Sequence, residues 1–213
     1  MTDLAALFGQ IDIYLFDQLM RDRITPGMRI LDAGCGGGRN LVYLLSNGFE
    51  VAAADRDPAS VEAVRAMASR LAPELPGSNF RVETIEALSF PDACADVVIS
   101  SAVLHFASGP EQFDAMLCSM WRVLKPGGLF FCRLASSIGI ADRVRPLGNG
   151  CFQLPDGSER YLVDEAALMA ATARLGGELV DPLKTTVVQD QRAMTTWVAR
   201  KNEPSVNARS ASA

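Results

Sequence analysis

Short apolar runs, each bounded by turn signals, recur at Met28 to Leu31, Val51 to Ala54, Phe80 to Ile85, Ala95 to Ser100 and Leu129 to Leu134. They lack the strict alternation of a strand wetted on one face, so the pattern predicts buried parallel strands. Between them the apolar spacing becomes helical over Arg39 to Asn47, closed by Gly48, over Pro58 to Leu71, opened by Asp57, and over Pro110 to Leu124. Pro in the first turn, an Asp or Ser ahead of it and Gly after the last turn are the start and stop chemistry of helices. Lys125-Pro126-Gly127-Gly128 reads as the turn that ends the third of these helices. Alternating strand and helix predict a doubly wound α/β sheet.

The flanks complete the pattern. Ile11, Tyr14, Leu15 and Leu19 share a helical face, which predicts a helix over about 10–23 that covers one edge of the sheet. Phe152 to Leu162 alternates around Asp156-Gly157 and predicts a β-hairpin placed where a lid would sit. A helix then runs from Asp164 to about Leu175, and strands follow at Thr185 to Gln189 and Met194 to Arg200. Their short connection, Asp190-Gln191-Arg192, requires an antiparallel pair. The expected organisation is one domain over 1–201, with its core at 28–135, a substrate loop and hairpin at 136–163, and a disordered polar tail at 202–213.

Composition narrows the function. Among the 213 residues, 20 Lys and Arg against 25 Asp and Glu leave a formal charge of −5, without the global basic footprint of nucleic-acid or membrane-surface binding. The expected partner is a small molecule. No stretch approaches the roughly 20 apolar residues of a bilayer span, and Met1-Thr2-Asp3-Leu4 lacks a positively charged leader start, so the expected location is cytoplasmic. Five scattered cysteines without a C-x-x-C pair, and one histidine, argue against a metal site. Neither a G-x-S-x-G elbow nor a G-x-x-x-x-G-K-[ST] loop is present.

The first strand runs into Leu31-Asp32-Ala33-Gly34-Cys35-Gly36-Gly37-Gly38-Arg39-Asn40, a glycine-rich turn opening a helix, where backbone can approach a ligand closely. A dinucleotide turn wants G-x-G-x-x-G, but Arg39 stands at its third glycine. The segment instead resembles motif I of the class I S-adenosylmethionine-dependent methyltransferases, D/E-x-G-x-G-x-G, through Asp32, Gly34, Gly36 and Gly38. Further matches follow in the family's order: Asp55 at the end of the second strand; Leu88-Ser89-Phe90-Pro91-Asp92 with Asp96-Val97-Val98-Ile99-Ser100; Val103-Leu104-His105-Phe106; and Trp121 to Gly128. The Gly-Arg-Asn turn is also similar to tellurite-resistance-type methyltransferases.

The resemblance implies a Rossmann-like sheet of about seven strands, mostly parallel with an antiparallel last strand and helices on both faces. It implies S-adenosylmethionine as cofactor and S-adenosylhomocysteine as product. Asp32, Gly34, Cys35, Gly36 and Gly38 would cradle the amino-acid end, and Asp55 with neighbouring Arg56 the ribose. Where the family has Asp-Ala for adenine, this chain has Thr84 and Ile85, followed by Glu86. The Ile85 amide can still serve, and Thr84 or Glu86 would replace the missing side chain.

Ligands of open α/β sheets bind beyond the carboxyl ends of the strands, which places Ser100, Ser101 and Arg133 near the site. His105 is the candidate general base, with packing as its alternative role. Tyr14, Arg133 and Arg143 are candidate acceptor contacts, and Arg145 and Arg160 further candidates for a carboxylate or phosphate. Cys132 and Cys151 would suit a soft metalloid, while Trp121 and Trp197 are expected to pack. The expected activity is methyl transfer to a small molecule. The alternatives are a catalytically silent S-adenosylmethionine binder and, disfavoured by Arg39, an NAD-dependent oxidoreductase. No N/D-P-P-Y/F/W tetrad follows the fourth strand, which disfavours DNA methylation.

Overall fold

The computed structural model describes residues 3–203; most of the tail expected at 202–213 lies outside them. The main sheet has the order β10-β11-β5-β4-β1-β2-β3, with β9 pairing beside β11. Its parallel part comprises β1 (Arg29–Ala33), β2 (Glu50–Asp55), β3 (Phe80–Val82), β4 (Ala95–Ser101) and β5 (Leu124–Ala135). Strand β11 (Arg192–Lys201) runs antiparallel to β5, and β9 (Gly177–Leu179) and β10 (Lys184–Val188) run antiparallel to β11.

Strand pleating divides the core in two. Leu31, Val98, Phe130 and Trp197 face one side, where they meet α5 (Pro110–Val123) and α6 (Glu165–Arg174). Their sequence neighbours Ile30, Val97, Phe131 and Val198 face the other, against α2 (Ile13–Met20), α3 (Val42–Ser46) and α4 (Pro58–Leu71). Both faces are therefore covered by helices, which is why the strand sequences are apolar throughout. Asp57 caps α4 through Ala59 and Ser60, with Pro58 in its first turn, and Asp164 caps α6 through Ala167. From β1 the chain winds outward through β2 to β3, then returns to place β4 on the other side of β1. This leaves a crevice beyond the carboxyl ends of β1 and β4.

Several boundaries depart from the sequence reading. The helix expected from Arg39 starts only at Val42, because Gly38 has φ +80° and Leu41 N–H bonds back to Gly38 in a tighter turn. The helix expected over about 10–23 is α2, confined to Ile13–Met20, and an unpredicted short helix α1 (Leu4–Phe8) precedes it, the two separated by Gly9 at φ +61°. Strand β3 ends at Val82, and Ile85–Ala87 forms a 3-10 turn. Lys125 to Gly128 is a bulge within β5, between the pairs Ala95↔Leu124 and Val97↔Leu129. The expected hairpin, β7 (Cys151–Gln153) with β8 (Glu159–Tyr161), gains a third strand, β6 (Arg145–Gly148), in what had been read as loop.

Candidate active site

A cavity of about 850 Å³ occupies the crevice beyond β1, β2 and β4. Its floor is the glycine turn. Gly34, at φ +85°, donates to Ala54 O at 2.8 Å, and a Cβ there would collide with Val103. Around Gly36 and Gly37 a Cβ would meet nothing within 4 Å, so the backbone lies open to a ligand. Gly9 and Gln10 also line the cavity, carried there by the α1–α2 turn.

Two carboxylates stand at this turn, Asp55 on the cavity wall and Asp32 buried outside the residues that line it. Asp55 lines the cavity at the end of β2 and is oriented by two amides, Gly36 N to Oδ2 at 2.8 Å and Asp57 N to Oδ1 at 2.9 Å. Asp32 lies beneath the turn, 1% exposed, and neither of its oxygens has a hydrogen-bond partner. Burial pushes its pKa up to about 7; Arg39 opposes this and Asp55 adds to it. A buried carboxylate without a donor is costly alone and fits a ligand bringing positive charge or N–H groups. The Cys35 thiol lines the cavity but is pushed up by burial, which keeps it a poor nucleophile.

Beyond Asp55 the wall is Arg56, Thr84, Ile85 and Glu86, with Gln112 and Met116 from α5. Gln112 Nε2 donates to Glu86. Ser101, Ala102, Val103 and Phe106 form the side nearest β4. The strand-end reading thus brought Gly34, Cys35, Gly36, Asp55, Arg56, Thr84, Ile85, Glu86 and Ser101 to one cavity.

Other expected residues stand elsewhere. Gly38 packs toward Val64 and Met67, and Ser100 is fully buried with its hydroxyl unpartnered. His105 lies behind the cavity-lining Phe106, where its Nδ1 accepts the Ala135 amide at 3.0 Å. Burial, aided by the positive charge of Arg160, lowers its pKa to about 4. Arg133 is tied to the buried carboxylate of Asp12 at 2.9 Å and stands over Tyr14, whose hydroxyl meets Thr186. Neither Tyr14 nor Arg133 lines the cavity, and Arg143 faces Asp190 at 3.4 Å on the surface. Trp197 packs fully buried and donates to Thr172, as expected of a core residue.

Asp12 was missed by sequence reasoning. It opens α2, and its carboxylate also accepts from Ser101 Oγ at 3.4 Å and faces Arg39 at 3.9 Å. Its signal was an Asp ahead of a helical run, which looks the same whether the carboxylate caps a helix or anchors two arginines. Arg39 was noticed only as a missing glycine, yet it lines the cavity and donates to Ser101 Oγ at 2.7 Å. Among the described residues no group of three or more His, Cys, Asp or Glu is placed to hold a metal, and no helix is long and apolar enough to cross a membrane.

A mostly parallel sheet in this order, with an open glycine turn after β1 and a carboxylate ending β2 beside it, is a doubly wound α/β fold with its ligand crevice at the point where the strand order reverses. This chain is similar to the class I S-adenosylmethionine-dependent methyltransferases, whose cofactor is S-adenosylmethionine. A methyltransferase domain model matches residues 31–132. The chain is 34% identical over 107 residues to an uncharacterized methyltransferase of Synechocystis sp., covering 50% of this chain and 47% of that protein. It is 30% identical over 168 residues to the ubiquinone biosynthesis O-methyltransferase of Brucella anthropi, covering 77% of this chain and 65% of that protein. These alignments span about half to two thirds of the relatives' own length. A crystal structure of an S-adenosylmethionine-dependent methyltransferase from Methanosarcina mazei superposes with TM-score 0.68 at 21% identity, covering 87% of this chain and 98% of that one.

Proposed function

We propose that this protein transfers the methyl group of S-adenosylmethionine to a small-molecule acceptor. The observation that carries the reading is the pair of carboxylates at the glycine turn, Asp55 held by two amides and Asp32 buried with no donor. Both fit the cofactor, which offers ribose hydroxyls to the first and an ammonium to the second. When bound, S-adenosylmethionine supplies a methyl group on a sulfonium sulfur, open to in-line displacement by an acceptor lone pair.

The chain's own residues bind and orient. Asp55 accepts from the ribose, its geometry preset by Gly36 and Asp57. The open backbone at Gly36 and Gly37 lets the amino-acid end approach the turn above Asp32. Ile85 offers its amide to the adenine, with Thr84 or Glu86 beside it. Gly9 and Gln10 exclude water from above, which strengthens the polar contacts beneath them. His105 is a positioning residue: its Nδ1 accepts the Ala135 amide, so the neutral ring carries its proton on Nε2 and holds the turn that presents Phe106 to the cavity rather than taking a proton. The β6–β8 sheet serves as the acceptor-side cover in a cytoplasmic enzyme. The domain is one unit over 1–201.

Calorimetric titration with S-adenosylmethionine, S-adenosylhomocysteine and NAD tests the cofactor, and a labelled-methyl assay over an acceptor panel tests the chemistry. Binding of the two adenosyl ligands and not NAD is expected. Binding without methyl transfer to any acceptor favours the silent binder, a reading motivated by Thr84 in place of the family's acidic side chain.

A further inference from the structure

Phe106 is a large aromatic side chain left 55% exposed while it lines the cavity, on the 3-10 turn Leu104–Phe106 that follows β4. Over its ring, 4.9 Å from the centroid, stands the guanidinium of Arg160. Pairing of β8 with β7, in the register Phe152↔Arg160, sets Arg160 there. The small sheet is anchored just beyond this turn, with Asn149 donating to Ser108 O at 2.9 Å and Tyr161 stacked on Phe113 of α5 at 5.0 Å.

The guanidinium has five N–H donors, and among the described residues one of its nitrogens is engaged, Nη1 with the adjacent Glu159 carbonyl at 2.6 Å. Among the described residues it forms no ion pair within 4 Å, although Asp156 lies near enough to feel its charge. Asp156, in the turn of the same hairpin, accepts instead from the Ser158 amide and hydroxyl. In the cavity, Glu86 is bonded to Gln112, and Asp55 to two amides. Arg160 is therefore a cation standing just outside the lining, braced on the face of the cavity-lining Phe106, with a planar fork of donors left over. That arrangement matches a carboxylate by two parallel hydrogen bonds.

We infer that the acceptor carries a carboxylate and that Arg160, braced on Phe106, recognises it while the Phe106 ring packs against the acceptor's apolar body. This rests on the methyl-transfer reading above. A single unpaired cation matches a monoanion, so a carboxylate fits better than a phosphate dianion. The specificity is then for a carboxylic acid over the matching neutral amide or ester.

The test is titration of the S-adenosylhomocysteine-saturated protein with benzoate, phenylacetate and 3-phenylpropanoate, each against its primary amide. At least one acid is expected to bind about tenfold or more tighter than its amide, the size of one charge-assisted bond. Arg160→Met is expected to remove that preference and leave S-adenosylhomocysteine affinity unchanged, and Arg160→Lys to keep part of it. Equal binding of acids and amides, no binding of any acid, or a preference that survives Arg160→Met overturns the inference. The wild-type comparison of acid with amide decides the matter even if a variant folds poorly. Failure of the wild type to bind S-adenosylhomocysteine would instead sink the methyl-transfer reading itself.

Discussion

The Gly36 amide donates to Asp55 Oδ2 at 2.8 Å, joining the turn after β1 to the end of β2 across 19 residues of sequence. The bond fixes the carboxylate before any ligand arrives, so little ordering remains when hydroxyl groups dock on it. Asp55→Ala is expected to weaken S-adenosylhomocysteine binding by about 1.5 to 3 kcal/mol, roughly ten- to a hundredfold. Calorimetry checks this, and unchanged affinity removes Asp55 from the ribose site.

Asp32 connects the same site to pH. Its folded pKa, about 7, stands above the ordinary 3.8, so between these values the folded state holds the proton more tightly. Its contribution to stability is then present at low pH and falls as pH rises from about 4 to about 7, by up to about 4 kcal/mol. Asp32→Asn is expected to lack this decline, to melt higher than the wild type at pH 8 without ligand, and to bind S-adenosylmethionine more weakly. Melting curves across pH with and without ligand test both parts. Parallel pH profiles for the two proteins would contradict the assignment of an uncompensated buried charge.

His105 has the opposite sign. Its folded pKa of about 4 lies below the ordinary 6.5, so the unfolded chain binds the proton more tightly, and stability rises with pH across that interval. His105→Ala is expected to flatten this rise. It also leaves the buried Ala135 amide without an acceptor, at a cost of about 1 to 3 kcal/mol. Turnover is expected to drop while S-adenosylmethionine affinity is spared. Unaltered turnover with an identified acceptor would restrict His105 to packing.

Asp12 holds the amino-terminal segment against β4 and β5 through Arg133, Arg39 and Ser101. Its side chain is fully buried but the arginines keep partial access to water, so the loss on Asp12→Ala is expected near 2 kcal/mol, below the ~3–5 of a wholly buried pair. Because Gly9 and Gln10 roof the cavity just ahead of it, the variant is also expected to bind S-adenosylhomocysteine more weakly and to be cleaved faster by protease within residues 3–12. Cofactor affinity equal to the wild type would show that this segment does not cover the ligand.

The order of the parallel strands and their helices, and most of the cavity floor, are legible in the sequence because both are written locally. Unbroken apolar runs mark strands buried on two faces, and Gly34, Gly36 and Asp55 lie at strand ends that any doubly wound sheet brings together. The helix start at Val42, the bulge at Lys125 to Gly128 and strand β6 were not legible, since each depends on which distant backbone groups are available for pairing. Which arginines are occupied depends on the folded sheet: Arg133 meets Asp12 from 121 residues away, while Arg160 stands over Phe106 without a carboxylate among the described residues. A charge's role is set by what lies within a few ångströms of it, and for side chains this far apart in the chain that neighbourhood exists only once the sheet has folded.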